Sequence, residues 1–228
     1  IEDTAELNLP LEHWVRFETR PPGLEGKGEI TMDILVKNAL RMRPDRIIVG
    51  EIRHAEAFTL FTAMNTGHDG CMGTVHSNSS QETLIRFMNP PMNVPPLMIK
   101  ALDLIIMQMR IHDRKKGTIR RVTEIAEVTG LLGDVPQIQT IYEWDPATDR
   151  ISKTNTPSHY IEELSRFTGL SKEEIWAEIN KRREFLEDLA KKGIRKQEEV
   201  IKEVRKFVQM RKIEGNAEKK EKKGGNRY

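Results

Sequence analysis

One cysteine, Cys71, is present among the 228 residues, so no disulfide can close within the chain. That suits a reducing, cytosolic setting. Long apolar runs are missing too. The longest lies around Leu104-Ile105-Ile106-Met107, far short of the roughly 20 residues that span a bilayer as a helix. No signal peptide is visible. The chain starts at Ile1 with no initiator Met, and it reads as a fragment or a processed product. Aromatic residues make up only 6%, and the net charge is +2. No global field argues for nucleic acid, and no basic surface interleaved with stacking aromatics is evident.

What is present suits a soluble globular protein with solvated helices: 37% hydrophobic and 32% charged residues. The length allows one full domain with an appendage, or two small domains. Composition shifts between Asp145 and Pro157. Before that stretch, short β-type runs alternate with helical patterns. Arg46–Val49, Met72–Val75, Leu104–Ile111, Val122–Val128 and Gln137–Trp144 read as strands. Met32, Leu35, Val36, Ala39 and Leu40 make one helical apolar face, and Ala57, Leu60, Phe61 and Met64 another. This alternation predicts an α/β fold with a mostly parallel sheet, with a hairpin for its last two strands. After the boundary nearly everything is helical. Ser171-Lys172-Glu173-Glu174 is a capping box, and Gly193 ends the helix that it starts. The expected organisation is a core over 1–150, a helical hairpin over 151–212 and a disordered tail over 213–228. From Arg211 onward the tail holds seven Lys/Arg and three Glu, a net of +4 (7 − 3).

Three clusters carry candidate chemistry. In Ile1-Glu2-Asp3-Thr4-Ala5-Glu6-Leu7, adjacent carboxylates follow a strand. At a strand's C-terminal end they lie where open α/β sheets bind ligands, and a carboxylate there can hold Mg²⁺ or orient water. An acidic strand exit or a helix cap is the plainer alternative. In Arg43–Arg53, the strand Ile47-Ile48-Val49 delivers Glu51 and Arg53 to its end. The pattern is that of a Walker B strand with Gly50 in place of the usual penultimate Asp; a strand that simply ends in a surface Glu is the alternative. In Thr66–Asn78, His68 and His76 flank a short strand. His76 sits just beyond its C-terminal edge, where one nitrogen can meet a phosphate oxygen. Metal ligation by His68, Cys71 and His76 lacks a fourth Cys or His nearby, and satisfied structural histidines are the other reading. Gly23-Leu24-Glu25-Gly26-Lys27-Gly28 imitates a phosphate loop, but Gly28 stands where that loop needs Ser or Thr. No Walker A motif is present.

Taken in order, the clusters resemble the secretion-superfamily ATPases of type II secretion, type IV pilus extension and retraction, and conjugation-type secretion. Glu2-Asp3-Thr4-Ala5-Glu6-Leu7 is similar to that family's Asp box, and Ile48-Val49-Gly50-Glu51-Ile52-Arg53 to its atypical Walker B. Thr66-Gly67-His68 with Thr74-Val75-His76 resembles its His box. Leu7-Asn8-Leu9-Pro10 with Trp14, and Asn89-Pro90-Pro91, look like the archaeal-type branch, which also drives archaella and adhesive pili. The resemblance covers about residues 1–145. It implies a RecA-like motor core, a homo-hexameric ring, ATP and Mg²⁺ as cofactors, and a polytopic membrane platform protein as partner. It also implies a cytoplasmic location at the inner face of the membrane. Carried over, Glu2 becomes the general base, beside Asp3 and Glu6 of the Asp box, and Glu51 the indirect Mg²⁺ contact. His76, with His68 and Arg53, becomes nucleotide-sensing, and Arg20 and Arg41 become arginines between subunits. The rival functions are a nucleic-acid-translocating RecA-like ATPase and a non-catalytic assembly module.

Overall fold

The computed structural model describes residues 1–114 and 116–224, with side chains described through Arg211. The helices are α1 (Met32–Arg41), α2 (Glu56–Asn65), α3 (Ser80–Met88), α4 (Pro96–Ile99), α5 (His159–Thr168), α6 (Lys172–Lys191) and α7 (Gln197–Gly224). The strands are β1 (Ile48–Val49), β2 (Met72–Gly73), β3 (Leu104–Asp113), β4 (Gly117–Leu132), β5 (Val135–Asp145) and β6 (Arg150–Lys153). Two compact units result. The first joins Ile1–Leu7 to Val15–Thr168; the second joins Asn8–Trp14 to the chain from Gly169 onward. The first unit thus runs past the expected boundary at 150. β6 completes its sheet, and α5 is tied to β4.

The expected parallel sheet survives only as a narrow ladder. β1 and β2 pair in parallel, Ile48 opposite Met72. Backbone bonds widen the ladder: the Ile1 nitrogen donates to the Ile48 carbonyl, and the Gly50 amide to the Ile1 carbonyl, both at 2.8 Å. Beyond it, Glu2 bridges Glu18 in parallel. Four extended segments therefore run the same way, around 17–19, 1–2, 48–50 and 72–74. The larger sheet is an antiparallel meander in the order β3-β4-β5-β6, which corrects the mostly parallel expectation. Its connections hold two to four residues, and parallel neighbours need a crossover of a dozen or more. Gly117 and Gly133, both at positive φ, close the first two turns.

α1 forms because Thr31 caps it, its hydroxyl accepting from the Ile34 amide at 3.3 Å. Met32, Leu35, Val36 and Ala39 recur at helical spacing on its buried face. Val36, Val49, Leu60, Phe61, Leu84 and Ile99 are fully buried together, each stabilising the fold by about 1.5–3 kcal/mol. This core packs β1 together with α1 and α2, so the end of β1 is placed firmly.

In the second unit, the capping box is present in full: the Ser171 hydroxyl accepts from the Glu174 amide and the Glu174 carboxylate from the Ser171 amide. Phe185 of α6 and Phe207 of α7 stack at 4.4 Å. Glu178 gathers Lys181, Arg182 and Arg211. The backbone continues as helix to Gly224, where composition predicted disorder from 213; Ala, Glu and Lys in that stretch are strong helix formers. The rest of the expected tail, 225–228, lies outside the described residues.

Candidate functional site

Because the four ladder segments are parallel, the residues that follow them share one edge, the edge at which open α/β sheets bind ligands. Arg20, Asp3, Glu51 and His76 all come there. Glu51 is the centre of the contacts. One carboxylate oxygen takes an N–H from Arg53 at 2.5 Å, and the other stands 3.3 Å from His76 Nε2. The Arg53 bond, opposed by partial burial and helped by the charges of Arg53 and His76, holds the Glu51 carboxyl below its usual pKa. Its side chain keeps 26% of its surface exposed, while His76 keeps 82%. This is an ionised carboxylate at an open edge with two exposed partners.

Glu2 is built differently. It is 4% exposed. One carboxylate oxygen accepts from the Glu6 and Leu7 amides at 3.0 and 2.8 Å, and the other lies 3.8 Å from Arg16 Nε. Burial pushes its pKa up, but the Leu7 and Glu6 amides, with nearby positive charge, outweigh this and hold it below the ordinary value. Glu6 enters through its backbone, while its side chain is exposed. Asp3 accepts from the Thr19 hydroxyl at 3.1 Å.

Gly50 explains itself here. A Cβ at this position would lie 2.8 Å from Glu2 Cγ. The Walker B-like Asp is replaced by Gly because the Glu2 side chain passes over that backbone. Thr74 donates its hydroxyl to the Gly50 carbonyl, and the Ile52 amide donates to the Thr74 carbonyl at 2.7 Å, so the Glu51 and His76 segments are stitched together.

Sequence reasoning passed over Glu56. It is buried at the first turn of α2, and one oxygen accepts the Arg53 and His54 amides at 2.5 and 2.7 Å. It therefore fixes the turn that presents Arg53. An acidic residue just inside an apolar helix, three positions after Arg53, was the available signal.

Some expected members do not join this edge. His68 sits in the turn that enters β2, at the opposite end from His76, and its buried Nδ1 has no partner among the described residues. Cys71 donates to the His68 carbonyl at 3.1 Å. Arg41 closes α1, on the side from which the chain approaches β1. Arg20 is on the right edge, but its guanidinium donates to the Gly28 carbonyl at 2.8 Å. Among the described residues no three His, Cys, Asp or Glu side chains form a metal-ligand group. Mg²⁺ binds through one or two carboxylates, its own waters and substrate phosphates. A single engaged Glu51 fits that pattern as a contact through water.

The sequence model of the family described as type II/IV secretion system protein matches residues 1–210. The chain belongs to that family. Its 194-residue match to an uncharacterised protein of Methanocaldococcus jannaschii is 38% identical, covering 84% of this chain and 70% of that one. A putative conjugal transfer protein of Mycobacterium tuberculosis is 51% identical over 147 residues, which cover 63% of this chain and 41% of that protein. The VirB11 ATPase of the Brucella suis type IV secretion system, solved with sulphate, aligns at 24% identity with a TM-score of 0.37, over 42% of this chain and 31% of that one. The chain thus spans less than half of the mycobacterial relative. For this secretion-family chain, no described helix is long and apolar enough to cross a membrane.

Proposed function

We propose that this chain carries the water-activating and sensing side of an ATPase site in a RecA-like secretion or pilus-type filament-assembly motor. The observation that carries the reading is Glu51 at the C-terminal edge of the parallel ladder, ionised and held between Arg53 and His76. ATP with Mg²⁺ is the cofactor pair, Mg²⁺ supplying charge neutralisation at the phosphates when bound. The protein works as a homo-hexamer at the cytoplasmic face of the membrane, against a polytopic platform protein, with no nucleic acid as substrate.

In this reading Glu51 orients water. A carboxylate held by Arg53 is a weak base. If Arg53 swings to a phosphate oxygen, Glu51 gains proton affinity as nucleotide arrives. His76, exposed beside Glu51, then meets the γ-phosphate side. Glu2, with one oxygen accepting from two backbone amides and the other facing Arg16, holds the 6–7 loop and the ladder in place. The base role suggested for Glu2 by family resemblance passes to Glu51.

No Gly-x₄-Gly-Lys-Ser/Thr loop is among the 228 residues, so negligible ATP turnover is expected of them alone. The test is turnover by a chain carrying such a loop ahead of Ile1, against its Glu51→Gln variant. Turnover should fall about 10²- to 10³-fold with nucleotide affinity retained. An undiminished rate overturns the assignment.

A further inference from the structure

The most uneven charge in the molecule lies away from this edge. Residues 110–121, Arg-Ile-His-Asp-Arg-Lys-Lys-Gly-Thr-Ile-Arg-Arg, hold six Lys/Arg and one Asp, a net of +5 (6 − 1), whereas the entire chain nets +2. Apart from Lys115, which lies outside the described residues, they form the outer end of the β3–β4 hairpin.

The hairpin sorts its charges by face. Met109 stands opposite Arg121, and Ile111 opposite Ile119. On that side Arg121 and Lys116 are neutralised: Asp149 accepts from Arg121 at 2.6 and 2.8 Å, from Lys116 at 2.5 Å and from the Trp144 indole at 3.1 Å. Those donors hold the Asp149 carboxyl far below the ordinary range, Arg121 first. The other face is unbalanced. Arg110 lies directly opposite Arg120, and His112 opposite Thr118, all of them exposed. Arg114, exposed, follows at the tip. Among the described residues, Arg110, Arg114 and Arg120 form no ion pair. Like charges set directly opposite across a ladder oppose each other, so the hairpin keeps an arrangement that costs it stability.

Among the described residues β3 is also an edge strand, with β4 on one side only. Alternate N–H and C=O groups of such a strand point outward and accept a further strand. The positive row and the open backbone edge are thus on the same strand. Lipid headgroups and nucleic acid can use the charge but not the backbone edge, and residues 110–121 contain no Phe, Tyr or Trp on which bases could stack. Of anionic partners, an extended polypeptide uses both features.

We propose that the outer half of β3 is a docking edge for an acidic extended protein segment. The segment adds as a strand beside β3 and sets carboxylates at alternate positions against Arg110, His112 and Arg114, with Arg120 behind them. Bidentate Arg–carboxylate pairing supplies the specificity.

The experiment titrates the 228-residue chain with a labelled alternating Glu–Val heptapeptide. Anisotropy gives affinity, and amide shifts over 108–113 give the place. The wild type should bind, with shifts along β3. The double variant R110E/R120E should bind at least 30-fold more weakly while its circular dichroism and Tm stay unchanged. R195E, an exposed charge reversal elsewhere, should bind as the wild type does. If the double variant loses fold, R120Q and a salt titration replace it, with a several-fold weakening expected from each. Equal affinity in wild type and R110E/R120E overturns the proposal, as does equal loss in R195E. So does binding of phosphatidylserine vesicles or oligo-dT, dependent on Arg110 and Arg120, with none of the peptide.

Discussion

The two sheets of the first unit solve opposite problems. The parallel ladder is short, its named strands only two residues each, and it depends on the core between α1 and α2 for support. Its polar groups gather at one end, and Glu51 and His76 remain accessible there. The antiparallel sheet has strands of up to 16 residues and is held by its own hairpins. Its most buried carboxylate, Glu127, is 1% exposed and wholly committed inward. It accepts from the Ser158 hydroxyl, the His159 amide at 2.7 Å and Gln139 at 3.1 Å, which caps α5 onto β4. An accessible carboxylate and a carboxylate spent on structure differ in who donates to them. Exposed side chains at an open edge hold the first; buried and backbone groups hold the second. By that measure Glu2, bound to two backbone amides, belongs with Glu127 although it lies beside Glu51.

The comparison breaks most sharply at Glu127. Glu127→Ala leaves the His159 amide, the Ser158 hydroxyl and Gln139 without their acceptor, and should cost about 3 kcal/mol in denaturant unfolding. A loss under 1 kcal/mol would mean that α5 is held by other contacts. Next comes Gly50→Ala, where the new methyl meets Glu2. It should cost about 2 kcal/mol, and most of that should vanish in a Glu2→Ala background, as a double-mutant cycle will show. The smallest effect concerns pH. The folded Glu2 pKa lies below its unfolded value of 4.5. Its contribution is therefore complete above that value and is lost as pH falls below it through the folded pKa. The protection of the Glu6 and Leu7 amides, measured against their intrinsic exchange rates at each pH, should fall in acid, and Glu2→Gln should remove that pH dependence. Protection independent of pH in the wild type would place Glu2 with the accessible carboxylates instead.

Much of this was legible in the sequence, for reasons local to each segment. Thr31 ahead of a 3.6-residue apolar rhythm predicts α1, and Ser171 with Glu174 predicts the start of α6. The β-branched run ending at Glu51 predicts a buried strand with a carboxylate at its tip. Strand direction was legible only for the hairpin of β4 and β5, which have no helix between them. An alternating apolar run reads the same in either sheet, and only the short connections after β3 decide for antiparallel pairing. His68 and His76 look like a pair in sequence, but the strand between them sends them to opposite ends. Glu56 and Glu127 gave weak signals, because a buried carboxylate is recognised by its donors, and those come from the backbone or from 12 and 31 residues away.

By itself the sequence determined the family, most of the helices, the capping box of α6 and the residue types at the end of each ladder segment, since these rest on spacing and on side-chain chemistry. The tertiary structure decided which carboxylates remain available. Glu2 and Glu51 are alike as residues. One meets backbone amides beneath the Gly50 crossing, and the other meets Arg53 and His76 at an open edge. The fate of a carboxylate depends on its desolvation and its donors, and both are set by parts of the chain far away in sequence.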